Sequence, residues 1–402
     1  MEVTLNDRIG QYVDENIIRS FLGMEKIKYS TLNDLFKDSG LIYEIPQYKE
    51  ICMYLDAHCI FSRLLREPEY VIVSATEHML IRNIVVGFFN VLAHYRRYLA
   101  TRLKKRNSIY VLFNTEQPDY NESLIPSFNW RIYLAYHTDA PDESYITHAI
   151  EQAWNFILKL SPYFEGIYCL TNQGVDNTAV IRRFGFDPET FYIIYAKSKY
   201  SMQLIQKNVV QLHSNRDNSK LITLKNVYTD GAYRTVSKNK KVIADESLVP
   251  SQLPLLWTLC GCSDVSVEPA KHVRQMQVAI RIANEMVQAN ELHPDTSIQS
   301  FLEHVSTHIR FVDKRRRCPP SLYIKVDYPL FIKRYKGLSA DLSAAAITHS
   351  QWEQIQTQIY DIYDENALEE LNQVLAEVTI AGSDADILQI ENLNLSEAQY
   401  YE

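Results

Sequence analysis

The alternation of apolar and polar positions divides the chain into helices and strands. Over residues 4–22, Leu5, Ile9, Val13, Ile17, Ile18, Phe21 and Leu22 recur at helical spacing, which predicts an amphipathic helix, with a second short helix at 31–38. The first strand is Ile51-Cys-Met-Tyr-Leu55. A long helical stretch follows at about 77–105, with Leu80, Ile84, Phe88, Val91 and Leu92 on one stripe. Strand 109–113, a polar connection at 115–143, helix 144–160, strand 166–170, helix 176–184, strand 191–195 and helix 200–206 complete the alternation. Strands alternating with helices predict an α/β fold with a mostly parallel, doubly wound sheet. Residues 208–243 read as short strands with turns. Beyond Pro250 the pattern is largely helical, at 251–260, 270–290, 296–308 and 351–377, broken by Asp313-Lys-Arg-Arg-Arg-Cys-Pro-Pro320. The expected organisation is an N-terminal helical extension (1–45), an α/β domain (46–250), a helical region (251–312) and a C-terminal region with an acidic helix and tail (313–402).

Charge sharpens this division. The net charge is −8, yet no Lys or Arg follows Lys336, whereas thirteen Asp and Glu lie between Asp341 and Glu402. The first 336 residues carry 41 basic against 36 acidic side chains. A mildly basic body followed by an acidic end is the pattern of a tail that contacts a basic surface, its own or a partner's, or of a solvated acidic helix. Two basic clusters are candidate nucleic-acid or partner contacts: Arg96, Arg97, Arg102, Lys104, Lys105 and Arg106, and Lys314, Arg315, Arg316 and Arg317. The first lies where cations suit the end of a helix dipole.

Several chemistries are not encoded. No run of about 18 apolar residues is available for a membrane span. The start, Met1-Glu-Val-Thr-Leu-Asn-Asp7, lacks the basic-then-apolar order of a secretory signal. The six cysteines are scattered without C-x-x-C, so reduced thiols in a cytosol-type compartment are expected, not a secreted protein. His58, His78, His94 and the pair His304 and His308 form no closed ligand set. There is no P-loop, dinucleotide fingerprint or G-x-S-x-G, and no cofactor is expected.

In open α/β sheets, sites form where strands end. Those ends read Leu55-Asp56-Ala57-His58, Phe113-Asn114-Thr115, Gly174-Val175-Asp176-Asn177-Thr178-Ala179 and Ile194-Tyr195-Ala196-Lys197-Ser198-Lys199. Their order resembles the 5′-nuclease family, the flap endonucleases and phage 5′–3′ exonucleases related to PIN domains. There the first strand ends in V-D-G, the second in F-D, G-V-E-A-D-D opens a helix, and S-x-D-x-D leads into D-x-x-Q-L. Lys199 to Leu204 falls in the place of that last helix, and Pro250-Ser-Gln252-Leu-Pro with Leu259-Cys-Gly261-Cys262-Ser263-Asp264 echoes a later P-x-Q and G-D-x-S-D-N segment. The ordered anchors span about residues 50–270.

The resemblance implies two-metal phosphodiester hydrolysis, with ions about 4 Å apart held by carboxylates. Asp56, Asp176 and Asp264 stand at such positions, but Asn114, Thr178 and Ala179 replace other carboxylates, and Lys197 and Lys199 fall where two aspartates would stand. An ammonium about 4 Å from a divalent ion costs several kcal/mol even at an effective dielectric of 20. The two lysines are expected to exclude metal and to neutralise Asp56, Asp176 and Asp264 instead. The segment matching the family's basic arch, 115–143, carries one cation, Arg131, among Glu116, Asp119, Glu122, Asp139, Asp142 and Glu143. The family's phosphate-gripping turn is matched by Val265-Ser-Val-Glu-Pro-Ala-Lys-His272, which lacks glycine. The expectation is a non-catalytic 5′-nuclease-like protein, phage or virus encoded, acting as a structural or interaction subunit of a larger assembly in the host cytoplasm or a virion. Its rivals are a non-cutting nucleic-acid-binding accessory protein and a divergent 5′–3′ exonuclease with a rearranged metal site.

Overall fold

Short apolar runs become strands here because both sheet faces are covered. The computed structural model describes residues 32–66, 77–101, 103–115, 143–161, 164, 166–213, 220–227, 250, 253–254, 257 and 328–359. The expected helices 4–22, 270–290 and 296–308 and the break at 313–320 lie outside them, as does most of 115–143, 228–249 and 251–260.

Helices α1 (Leu32–Asp38) and α2 (Leu41–Glu44) lead through a 3-10 turn (Ile45–Gln47) into β1 (Glu50–Asp56). Then come α3 (Ala57–Leu64), α4 (Glu77–Thr101), β2 (Arg106–Asn114), α5 (Glu143–Leu160), β3 (Ile167–Asn172), α6 (Asn177–Phe184) and β4 (Thr190–Ala196). A 3-10 helix (Lys199–Leu204), β5 (Val209–His213) and β6 (Lys220–Ile222) follow. Near the C-terminus are α7 (Tyr328–Leu338), α8 (Ala340–Ala346) and α9 (His349–Thr357).

The sheet runs β3-β2-β1-β4-β5-β6, with β1 to β5 parallel and β6 antiparallel to β5. This is the mostly parallel, doubly wound sheet that the sequence predicts, with helices on both faces. Every residue of β4 is buried, the continuous apolar run of a central parallel strand.

One face packs against α3, α4 and α5. Its core includes Phe61, Phe88, Phe89, Phe113 and Trp154, all buried. Phe61 meets Phe113 edge-on at 5.5 Å between ring centroids, and Phe113 lies 4.8 Å from Trp154. The other face carries Cys52, Tyr54, Leu112, Leu170, Tyr192 and Ile194, and packs against residues of α6, the 3-10 helix, α8 and α9. Each buried Leu, Ile or Phe contributes about 1.5–3 kcal/mol relative to exposure.

Residues 328–359 therefore pack on the sheet itself. Buried Gln203 donates to the Leu338 carbonyl (3.0 Å) and accepts from the Ala340 N–H (2.8 Å). Arg182 pairs with Asp341, and the Arg183 guanidinium lies over Trp352. Helices α7 and α8 and the short α3 are additions to the sequence reading. Each is too short to show a clear period, and caps define two of them: Asp56 accepts from the His58 N–H to open α3, and Ser339 accepts from the Leu342 N–H to open α8.

Candidate functional site at the carboxyl edge of the sheet

Strand order places Asp56, Asn114, Asn172 and the Ala196–Lys197 exit at the same edge of the sheet, with β1 and β4 adjacent where the winding reverses. That reversal leaves a crevice outside the strand ends, the usual place for a ligand in this architecture.

Asp56 is held from three sides. Its Oδ1 accepts from the His58 N–H at 3.1 Å and from Asn177 Nδ2 at 3.3 Å, and its Oδ2 lies 3.8 Å from the Cys59 thiol. Cys59 Sγ in turn accepts from the Lys197 N–H at 3.1 Å, tying the end of β4 to α3. Burial pushes the Cys59 thiol well up and neighbouring Asp56 adds to this, opposed by the Lys197 N–H and by the Lys197 charge.

Asp176 faces its own helix. Its Oδ1 accepts from the Thr178 N–H at 2.7 Å and caps α6. Burial raises its carboxyl above the ordinary value, opposed by the bonds from Thr178 and Ala179. Thr178 and Ala179 are themselves buried on α6.

Asparagines dominate the rest of the edge. Asn114 Nδ2 donates to the Val175 carbonyl at 2.9 Å. Asn172 Nδ2 reaches the same carbonyl and Asn177 Oδ1, both at 2.8 Å. Asn177 Nδ2 then spans Asp56 Oδ1 and the Leu112 carbonyl, each at 3.3 Å. The ends of β1, β2 and β3 and the start of α6 are thus joined through side-chain amides. Asn172 and Asn177 are not carboxylates and so carry no metal-ligand signature in the sequence; an Asn closing an apolar strand, as in Leu170-Thr-Asn172, is the sequence signal of this edge. Gln211 is a further addition: buried in β5, it donates to the carbonyls of Ala196 (3.2 Å) and Ser198 (2.9 Å) and so fixes the β4 exit.

The lysines are placed differently from one another. Lys197 is exposed at the β4 exit, and its charge acts on the Cys59 thiol that lies against Asp56. Lys199 is half-buried at the start of the 3-10 helix. Asp264 lies outside the described residues.

The first basic cluster sits at the far end of the sheet. Strand β2 runs nine residues from Arg106 to Asn114, about 26 Å from end to end. Lys105 Nζ is committed to the carbonyls of Pro46 and Tyr48, at 3.0 and 2.5 Å, where it closes the 3-10 turn before β1. Lys104 is exposed in the left-handed region at φ 52°, Arg106 is exposed and Arg96 half-buried. Arg97 lies on α4, while Arg102 and Lys314, Arg315, Arg316 and Arg317 lie outside the described residues.

Among the described residues, the edge offers amide donors beside the carboxylates that the two divalent ions implied by the resemblance would call for. Hard cations need oxygens turned toward them. Here Asn114 and Asn177 turn N–H groups to carbonyl and carboxylate oxygens, and the Asp176 Oδ1 is engaged by a helix N-terminus. Among the described residues no three His, Cys, Asp or Glu side chains gather as a metal would require.

No protein-family model matches this chain, and no curated protein matches it. It is similar to solved structures of nucleases. A bacteriophage T5 flap endonuclease in a pseudo-enzyme–product complex with DNA and metal ions shares 9% identity, covering 81% of this chain and 99% of that one at a TM-score of 0.43. The T5 5′-exonuclease with bound zinc shares 10% identity over 82% of this chain and 100% of that one, at a TM-score of 0.43. The catalytic core of Rad2 in complex with DNA substrate shares 11% over 86% and 99%, at 0.34. The fold itself rests on the sheet order and connections described above.

Proposed function

We propose that this chain is a non-catalytic 5′-nuclease-like protein that serves as a structural or interaction subunit of a larger, phage- or virus-encoded assembly. The observation that carries this reading is the amide network at the carboxyl edge. Asn114, Asn172 and Asn177 join the strand ends to one another and to α6 through side-chain amides. Asp56 and Asp176, the two acidic remnants described, act as helix caps. A fold without its chemistry is kept for its surfaces.

A nucleic-acid-binding accessory role gains less support. Lys105 is committed to backbone carbonyls, and the cluster around it lies at the opposite end of the sheet from the crevice.

The test is incubation of the purified protein with flap, nicked and single-stranded DNA and with RNA, in Mg²⁺ and in Mn²⁺. No cleavage is expected. Cleavage that disappears in an Asp56→Ala variant would overturn the reading in favour of a nuclease with a rearranged site. Proteins that co-purify with the native chain identify the assembly.

A further inference from the structure

We infer that residues 360–378, the start of the acidic stretch, dock across the amino half of β2 and β3, on Tyr110 and Tyr168 and beside the first basic cluster. An aromatic shelf, a group of cations and the end of α9 meet there. Register makes the shelf: Tyr54, Tyr110 and Tyr168 stand opposite one another on β1, β2 and β3. Tyr54 is buried, whereas Tyr110 and Tyr168 are half-buried and stack at 4.8 Å between ring centroids. Phe184 of α6 reaches Tyr54 and Tyr110, at 6.0 and 5.9 Å, and Trp352 of α9 lies on Phe184 at 4.8 Å. Among the described aromatic rings, Tyr168 touches only Tyr110, so it forms the uncovered end of the row.

Cations gather at the amino ends of the same strands. Arg106 opens β2 and is exposed, as is Lys104 just before it. The Arg96 guanidinium lies beside Gly166, the residue before β3, 3.8 Å from where a side chain there would begin. Glu50, opposite Arg106 in register, offsets one of these charges.

The segment starts beside this shelf. Gln358 Oε1 accepts from the Thr171 N–H at 2.7 Å, its Nε2 donates to the Thr171 carbonyl at 2.9 Å, and Ile359 packs against the tyrosine face. Along β3, Thr171 is about 10 Å from Tyr168 and about 17 Å from Gly166. Six extended residues span about 20 Å, so Asp361, Asp364 and Glu365 come within reach of the cations. Leu368, Leu371, Leu375 and Val378 follow at helical spacing and offer an apolar stripe to the shelf. Residues 360–402 hold no Lys or Arg, so no charge in the segment repels the cluster. A tethered segment is also present at a local concentration on the order of millimolar, which a separate partner would have to match.

The test uses the full chain. Carbodiimide joins an ammonium to a carboxylate in contact with it. Wild type should give a cross-link from Lys104 to a carboxylate between Asp361 and Glu370, and a mixture of isotopically light and heavy chains tells a link within one chain from a link between two. A second measurement is the rate at which Glu-C protease cuts after Glu365, Glu369 or Glu370. The double variant Lys104→Asn, Arg106→Gln should be cut about fivefold faster than wild type, the effect of losing two exposed ion pairs. Asparagine suits the left-handed backbone at Lys104, φ 52°, so the variant keeps its turn. Tyr168→Ser should speed cleavage as well, through loss of the shelf. No Lys104 link to that segment overturns the proposal, as do links formed only between light and heavy chains, which would give the surface to a second copy. Equal cleavage of wild type and the double variant overturns it too.

Discussion

At the scale of single residues, the carboxyl edge depends on amides. Asn177 bonds Asp56, the Leu112 carbonyl and Asn172, so Asn177→Ala removes three contacts at once and leaves Asp56 short of a donor. Leaving a half-buried polar group unpaired costs about 1–3 kcal/mol, and urea unfolding of Asn177→Ala should show a loss of that order. Lys197 is exposed, so Lys197→Ala should stay within about 0.5 kcal/mol of wild type by the same measurement.

Asp176 gives a signed pH dependence. Its folded carboxyl is raised by burial above the ordinary 3.8. A raised acid contributes stability that is fully present below the unfolded value and is lost as pH rises through the folded one. Asp176→Asn keeps a capping oxygen and removes the titration. Relative to wild type it should therefore gain stability as pH climbs from about 4, the difference vanishing in more acidic solution. A gap that widens on acidification would mean that the cap bonds outweigh burial.

At the scale of elements, aromatic packing fixes the helices on one face. Trp154 from α5 touches Phe61 from α3, Phe88 from α4 and Phe113 from β2. Trp154→Ala should cost about 3–5 kcal/mol and lower the thermal midpoint accordingly. The α9 start is held by a capping box, Thr348 with Gln351, so Thr348→Ala should cost about 1 kcal/mol.

The main strands and the long helices were legible in the sequence because their periods are strong. The expected strand 191–195 is β4 at Thr190–Ala196, and the expected helix 144–160 is α5 at Glu143–Leu160. The long helix expected at 77–105 ends at Thr101, since β2 already starts at Arg106 and Lys104 before it takes the left-handed region. The 3-10 helix at Lys199–Leu204 stands where an α-helix at 200–206 was expected, because Ile205 is already extended on the way to β5. Of the candidate site, Asp56, Asn114 and Asp176 were legible from strand-end order. The partners Asn172, Asn177 and Gln211 were not, because sequence order carries no sign of which side chains meet across the sheet.

At the scale of the whole molecule, charge is unevenly spread. Residues 360–402 hold eleven Asp and Glu and no Lys or Arg. If this acidic stretch screens the body, a chain ending at Ile359 should bind single-stranded DNA more tightly than the intact protein, with a steeper salt dependence. Equal binding at low salt by both forms would deny the stretch that role. Ending the chain at Ile359 matters, since α8 and α9 supply Ala340 and Ile355 to the sheet's core.

The grip of Gln203 on Leu338 and Ala340 joins residues 135 and 137 positions apart, and that of Gln358 on Thr171 spans 187. All six described strands are encoded before Lys225, while α8 and α9, which share the cover of one face with α6 and the 3-10 helix, follow Tyr328. At the usual ~5–20 residues per second of synthesis, roughly 5–20 s pass between the two. During that interval a nascent chain can hold a finished sheet whose Tyr54, Tyr192 and Ile194 face has yet to receive α8 and α9. On the ribosome this face is the vulnerable one, and a chaperone that shields aromatic surface during translation should raise the yield of native protein more than one added after release.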